Sequence, residues 1–438
     1  MTQSIPGLTI APALLAQIAQ QQGTPCYVYD EAVILQKCRD IVGMPNAFGL
    51  RPRFAIKANS NRALLQLIAA TGINIDASSL NEARRARMAG IPSCRIMLTT
   101  QEVPLGHDRH DLESMMLEGM RYNVCSLRQL RLIAPFAAAN GIRLCLRIHP
   151  GVGSGESATR NTGDDYSCFG IHLTNVDEAL RIAREAGVIF DELHAHIGSG
   201  GDPAKWQENI DRELGFVEKW FPDATKVSFG GGFRVARMPD EKAADIAALG
   251  NYAKSRLEDF AKRTGRKLEI EVEPGTYIMA NAGYLVTRVI DLKSTGPKGF
   301  EFIVIDGGME VNTRPLLYGS RHPFHVIAKD GTVLSSEFDL KNAKGDLDDR
   351  IVVGRCCESG DSQTLDAGGQ ITTRIMAHPQ LDDFVVIGGA GAYCSSMSPF
   401  NYNSHVQISE ILVRTDGKPK VIRHRQTLDQ VVQNEVGL

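Results

Sequence analysis

Long apolar runs are missing from this 438-residue chain: none approaches the roughly 20 residues that a bilayer-spanning helix needs. Charge of one sign is missing too. Lysine and arginine number 48 against 51 aspartate and glutamate, and the two signs are interspersed, so neither a nucleic-acid footprint nor a polybasic membrane patch is expected. Aromatic residues make up only 6%. The nine cysteines show no CxxC spacing, and Cys356 and Cys357 are adjacent, which suits neither a disulfide framework nor a zinc site. No metal is expected, and a reducing cytoplasm is the expected location. The opening "MTQSIPGLTIAPALLAQIAQQQG" lacks a basic n-region and a clean apolar h-region, so no signal peptide is expected.

What is present is globular: 43% hydrophobic and 23% charged, in a chain long enough for two domains. Up to about residue 285 one grammar repeats. A short β-rich run ends in polar residues or glycine, and a helical stretch rich in alanine and charge follows. "PRFAIKANS", "INIDASS", "RIMLTT", "IRLCLRIHPG", "ELHAHIGSG", "KVSFGGG" and "LEIEVEPG" are such runs. Alternating strands and helices predict a parallel sheet, and this many predict a closed (β/α)8 barrel over residues 35–285, with its site at the C-terminal strand ends. Lys57, Asp76, Arg147, His196, Gly230 to Gly232 and Glu273 fall there. From residue 286 to 438 short strands follow one another with little helix between them, which predicts a mostly antiparallel β domain. Residues 1–34, with the isolated strand "TPCYVYD", are expected to join it.

Three features carry chemistry. Lys57 closes an apolar strand in "FAIKAN", where desolvation favours the neutral, nucleophilic amine; a lysine snorkelling from a strand end is the plainer alternative. "FGGGF" places Gly230, Gly231 and Gly232 after a strand, either as an anion nest or simply as a tight turn. Glu273 ends the strand of "EIEVEPGTYIMANAG" and is followed at once by Pro274 and Gly275. A carboxylate at such a place can keep a pyridine ring protonated. An amine for an aldehyde, a phosphate nest and this carboxylate are together what pyridoxal 5′-phosphate requires.

The chain resembles the fold-type III pyridoxal-phosphate decarboxylases, above all the diaminopimelate decarboxylase group. The matching stretches are "FAIKANSN", "DASSLNEA", "HAHIGSG", "FGGGF", "EVEPG", "DGGM", "RPLLYG", "CESGD" and "GAYCSSM…NYN", in the family's order along nearly the whole chain. The resemblance implies an alanine-racemase-like (β/α)8 barrel plus a C-terminal β domain. It implies that Lys57 holds the cofactor, His196 stacks on its ring, and Gly230, Gly231, Gly232 and Tyr393 bind its phosphate. Glu273 would pair with the pyridine nitrogen. Cys357 and Glu358 would reach the partner subunit's site in a homodimer, with Cys357 or Lys57 reprotonating the substrate carbon. Arg314 and Tyr318 would hold the substrate's far end. His194, His149 and Cys356 are read as packing residues, and Asp361 as the brace of the "ESGD" turn. The implied reaction is decarboxylation at a D-configured centre of a diamino acid, meso-diaminopimelate to L-lysine ahead of D-lysine or D-ornithine. A racemase of the same fold lacks "CESGD" and pairs the pyridine with arginine, and an inactive homologue usually loses Lys57 or Cys357.

One position departs from the family. Diaminopimelate decarboxylases typically read Glu-Pro-Gly-Arg, and the arginine helps grip the substrate's distal carboxylate. This chain has Thr276 there, which supplies neither charge nor a bidentate fork.

Overall fold

The computed structural model describes residues 5–154, 161–199 and 201–438. The first four residues of the N-terminal segment and Gly200, the last residue of "HAHIGSG", lie outside them. The chain divides into two compact units. One comprises residues 35–234 and 243–277, the other residues 1–34, 235–242 and 278–438. The barrel unit thus ends before the expected residue 285, and Val235–Lys242 leaves it for the β unit. Nothing in composition marks that excursion.

In the barrel unit eight parallel strands close on themselves. Leu50–Ala55, Asn74–Ala77, Ile96–Leu98, Arg121–Val124, Leu144–His149, Phe190–His194, Lys226–Ser228 and Glu269–Val272 follow one another around the ring. Leu50–Ala55 pairs with Glu269–Val272 to complete it. Helices follow most strands, and several start on a side-chain cap. Ser79 accepts from the Glu82 amide and Ser126 from the Gln129 amide, each satisfying a first-turn N–H. Barrel interiors are commonly apolar layers, but here charge fills part of one. Arg53 is bonded to Glu271 in a two-point contact, its Nη2 2.9 Å from Oε1, and both are buried. Glu192, fully buried on the strand Phe190–His194, meets Arg121 at 3.0 Å. Burial first, then the neighbouring Glu271, pushes the Glu192 carboxyl up to about 8. Glu271 is held ionised against its burial by Arg53 and Arg51, and Arg53 and Arg121 are held charged by these glutamates.

The β unit is a ten-stranded, mostly antiparallel sheet. Cys26–Asp30 lies at its centre, antiparallel to Gly283–Ser294 and parallel to Ser409–Val413, so "TPCYVYD" does belong to this sheet. Alternate residues of these strands, Cys26, Val28, Tyr284, Val286, Ile411 and Val413, face one side. The helix Pro12–Gln22 covers that side with Leu15, Ile18 and Ala19. Burying each such aliphatic side chain contributes about 1.5–3 kcal/mol.

Candidate active site

In the barrel unit the loaded residues gather at the C-terminal strand ends. Lys57 lies on the single 3-10 turn Ile56–Ala58 that follows the strand Leu50–Ala55. It is exposed, not buried as its apolar neighbours led us to expect. Its charge is nonetheless felt by Asp76, Glu82 and His196, so its amine shares the barrel mouth with them. Glu273 follows the adjoining strand, and the Pro274 carbonyl accepts from the Ala55 amide at 3.4 Å, tying the two strand ends together.

Glu273 is buried, and His194 Nε2–H donates to its Oε1 at 2.8 Å. Burial alone would raise this carboxyl, but His194, then His196 and Arg147, hold it well below the usual carboxylate range. Glu273 is thus kept ionised. His194, read from sequence as a packing residue, takes part in the site. Asp76 behaves oppositely: burial and the charge of Glu273 push it up to about 8, and its Oδ1 is buried without a hydrogen-bond partner. Two carboxyls in one mouth are therefore driven apart in pKa, a pattern common at functional sites.

His196 is held as a neutral ring. Its Nδ1 accepts from the Gly231 amide at 3.0 Å, which places the remaining proton on Nε2. Burial, then the Lys57 charge, depresses its pKa to about 3. The three glycines have no room for side chains. A Cβ on Gly231 would stand 2.3 Å from the Glu273 carbonyl oxygen, and one on Gly230 2.7 Å from the Ala195 carbonyl. One on Gly232 would meet the Gly198 carbonyl at 2.6 Å. Gly230 and Gly232 also have φ of +64° and +96°, which glycine adopts without strain. The Gly230 carbonyl accepts from the Glu273 amide at 2.9 Å, so nest and carboxylate are built on one another. A cleft lined by Ser154, Gly198, Gly231, Gly232 and Trp206 opens beside the nest. Thr276 is half-buried, two residues beyond Pro274.

The β unit carries the remaining candidates. Tyr393 has φ +58°, a left-handed conformation that non-glycine residues adopt at a cost and that clusters at functional sites. Arg314 opens the short helix Arg314–Tyr318 and is almost wholly buried. Its Nη2 donates to Ser320 Oγ at 3.1 Å, while Nε has no acceptor. Tyr318 is half-buried beside Met397. Cys357 and Glu358 are exposed on the "CESGD" loop. Two residues of "NYN" hold them: Asn403 Oδ1 accepts from the Cys357 amide at 2.8 Å, and the Tyr402 hydroxyl donates to Glu358 at 3.2 Å. Asp361 braces the turn, accepting from the amides of Cys356 and Met309 at 2.7 and 2.6 Å. Cys356 is buried and its thiol donates to Glu310 at 3.4 Å. His405 comes close to that pair, but the Arg355 guanidinium at 3.1 Å already balances Glu310.

Comparison with known proteins matches residues 32–280 to a family described as "Pyridoxal-dependent decarboxylase, pyridoxal binding domain". A curated diaminopimelate decarboxylase of Escherichia coli strain K12 is 31% identical, covering 96% of each chain. A crystal structure of a diaminopimelate decarboxylase superposes with a TM-score of 0.86 at 30% identity, again over 96% of both chains. The Helicobacter pylori diaminopimelate decarboxylase, solved in complex with L-lysine, superposes with a TM-score of 0.77 at 26% identity, covering 96% of this chain and 98% of that one.

Proposed function

The chain belongs to the pyridoxal-dependent decarboxylase family, and from that premise we propose that it decarboxylates meso-diaminopimelate at its D-configured centre, yielding L-lysine and carbon dioxide. The observation that carries the reading is Glu273, held ionised by His194 and joined through its own amide to the glycine nest. This fits pyridoxal 5′-phosphate: Gly230 to Gly232 form a turn packed too closely for any Cβ, as a backbone nest for a phosphate requires, and an ionised carboxylate suits a protonated pyridine nitrogen. When bound, the cofactor accepts the electron pair left behind as carbon dioxide departs.

The chain's own residues do the rest. The Lys57 amine, exposed at the strand end, is the group that would hold the cofactor's aldehyde. His196, fixed as a neutral ring by Gly231, offers its face without bringing a second positive charge beside Lys57. The glycine nest would hold the phosphate, and Tyr393 is assigned the same role. Cys357, presented by Asn403, or Lys57 returns a proton to the substrate carbon. Arg314, Tyr318 and Glu358 belong to the substrate's binding surface. Exposure of Cys357 and Glu358, together with Leu316 and Leu317 nearby, supports a homodimer in which this loop completes the partner's site. Nine free cysteines support a reducing, cytoplasmic setting.

Thr276 favours a second reading. Without an arginine there, D-lysine or D-ornithine meets less repulsion, so a decarboxylase for these is the alternative. Incubating the cofactor-loaded protein with meso-diaminopimelate, D-lysine and D-ornithine and measuring carbon dioxide release decides between them. A preference of about tenfold in kcat/KM, worth about 1.4 kcal/mol, for either monocarboxylate would overturn the first reading. No release from any of the three, by protein shown to bind the cofactor, would overturn both.

A further inference from the structure

Three metal-ligating side chains meet inside the β unit, brought there from three separate stretches of chain. A Glu310 carboxylate oxygen, Cys356 Sγ and a His405 ring nitrogen lie within 4.8 Å of one another. Glu310 and Cys356 are buried and His405 is half-buried, so the cluster keeps a way in from solvent. Cys356 Sγ is 3.4 Å from Glu310 Oε2. Asp361 fixes the backbone under both, accepting from the Met309 amide at 2.6 Å and from the Cys356 amide at 2.7 Å. A Cβ on Gly308 or Gly354 would collide with that carboxylate, so two glycines make room for it. On the third side Asn401 Nδ2 donates to the His405 carbonyl at 3.0 Å. The His405 ring itself makes no hydrogen bond among the described residues. Burial, then the Arg355 charge, keeps that ring neutral, which is the form that ligates metals.

The plainest reading is a buried thiol donating to a carboxylate. It leaves the imidazole without a use. It also leaves Cys356 beside two carboxylates, Glu310 and Asp361, which after burial push its thiol up. The Arg355 guanidinium meets only the other oxygen of Glu310, Oε1, at 3.1 Å. With Cys356 as thiolate, two carboxylates and one guanidinium leave a surplus of two negative charges, which a divalent ion cancels. Tetrahedral zinc holds such ligands at about 2.0–2.3 Å, which sets them about 3.3–3.6 Å apart. The thiol and the carboxylate already stand at that separation. The imidazole, no more than 4.8 Å away, has about 1.5 Å or less to close.

We infer that Glu310, Cys356 and His405 form a binding site for a divalent transition metal of the zinc class, with a fourth position open to water. Thiolate and imidazole select such an ion over magnesium or calcium, which take oxygen ligands. The Cys356 proton leaves to solvent as the ion binds. No two of the ligands share a motif, so the cysteine spacing that argues against a zinc site is silent about this one. Occupied, the site ties two loops together. Cys357 follows Cys356, its amide donates to Asn403 Oδ1, and His405 lies two residues beyond Asn403. The metal therefore bridges the same two loops as that hydrogen bond, whichever substrate the chain takes.

Cobalt(II) reports the site, because tetrahedral coordination with a thiolate gives visible bands to the red of the cofactor's absorption. Cofactor-loaded protein, freed of metal with a chelator, is titrated with cobalt(II) and then with zinc(II). Wild type develops the tetrahedral spectrum at one ion per chain, and zinc abolishes it. Cys356→Ser and His405→Gln each weaken cobalt binding about 100-fold or more, since each loses a direct ligand and outer partners alone are worth about 10- to 100-fold. Cys357→Ser, next to the site but outside it, keeps the wild-type spectrum. His405→Gln changes a half-buried ring with no hydrogen bond to lose, so it carries the test if the Cys356 variant does not fold. No tetrahedral spectrum in excess cobalt overturns the inference. So does unchanged affinity in folded Cys356→Ser or His405→Gln, or a spectrum that Cys357→Ser removes.

Discussion

His194 Nε2 donates to Glu273 Oε1 at 2.8 Å, and neither side chain reaches solvent appreciably. The two residues end strands that flank Lys226–Ser228 in the barrel, so the bond spans the strand that leads into the glycine nest. The relationship explains how a buried acid stays ionised, because burial by itself favours the neutral carboxyl.

Replacing His194 with alanine removes that support, and the Glu273 carboxyl moves back up toward and beyond its ordinary value. A group whose pKa is depressed on folding stabilises above its unfolded value and loses that contribution as pH falls through the folded one. The variant should therefore lose cofactor affinity at a higher pH than wild type when titrated downward from about pH 8. At neutral pH the loss should be about 10- to 150-fold, the equivalent of about 1.5–3 kcal/mol for a hydrogen bond to a charged group. His194→Gln, which retains a donor, should recover part of it. Fluorescence titration with pyridoxal 5′-phosphate between about pH 5 and 8 reads this. Identical pH profiles for wild type and alanine variant would sink it.

Gly231→Ala tests the nest without touching an ionisable group. Its Cβ would meet the Glu273 backbone oxygen at 2.3 Å, a group that cannot rotate away. Overpacking of this kind costs about 1–3 kcal/mol, and the shift should fall on cofactor binding as well as on stability. A variant with wild-type melting temperature and wild-type cofactor affinity would show that the turn has slack the distances deny.

Much of this was legible in sequence, for a physical reason. In a barrel of parallel strands the C-terminal ends converge, so βα alternation places Lys57, His196, Gly230 to Gly232 and Glu273 together without any contact information. The partners of those residues were not legible. His194 is 79 residues from Glu273, and a histidine at a strand end reads equally well as core. Its position at the C-terminal end of a barrel strand, like that of Glu273 just beyond one, was the available signal. Lys57 was expected to be buried, yet it sits one turn beyond the last strand residue, where the chain has already left the apolar layer. The stretch Val235–Lys242 is irregular, with no periodicity to place it, and only the fold reveals that it joins the β unit.

Glu192→Gln should flatten the pH dependence of stability. The Glu192 carboxyl is raised on folding from 4.5 to about 8. Folding therefore takes up a proton in this window. The contribution is complete below about pH 4.5 and lost as pH rises through about 8. Glutamine keeps a donor toward Glu271 and an acceptor toward Arg121 but does not titrate. Relative to wild type the variant should gain about 1–3 kcal/mol between about pH 5.5 and 8.5. Asp76, also raised to about 8, is present in both proteins, so only the difference between them is diagnostic. Urea unfolding at the two pH values measures it, and parallel slopes for the two proteins would refute it.

Shared active sites can be tested by mixing. Lys57→Ala and Cys357→Ala should each be folded and inactive or nearly so, Lys57→Ala because it lacks the anchoring amine. If the exposed "CESGD" loop completes the partner's site, subunit exchange between the two variants gives heterodimers with one intact site. Activity should then climb toward about a quarter of wild type, half of the dimers being mixed and each having one good site of two. Exchange demonstrated by mass-labelled subunits with no recovery of activity would place Cys357 in its own subunit's site.

Thr276→Arg addresses the residue that sets this chain apart. If Arg314 receives the distal carboxylate, a further guanidinium adds less for meso-diaminopimelate than it costs a substrate without that carboxylate. For D-lysine the far end is an ammonium, and a like charge at ~4 Å costs about 4 kcal/mol at an effective dielectric of 20. The kcat/KM ratio of meso-diaminopimelate to D-lysine should therefore rise by about tenfold or more, a change worth at least about 1.4 kcal/mol. The rise should come mainly through a higher KM for D-lysine, because the added charge is felt on binding and not at the reacting carbon. Steady-state kinetics on both substrates for wild type and variant supply kcat and KM for each pair. A ratio that stays the same would mean that position 276 lies out of reach of the substrate's far end. A ratio that rises through a large gain on meso-diaminopimelate would instead mean that the site had been short of positive charge.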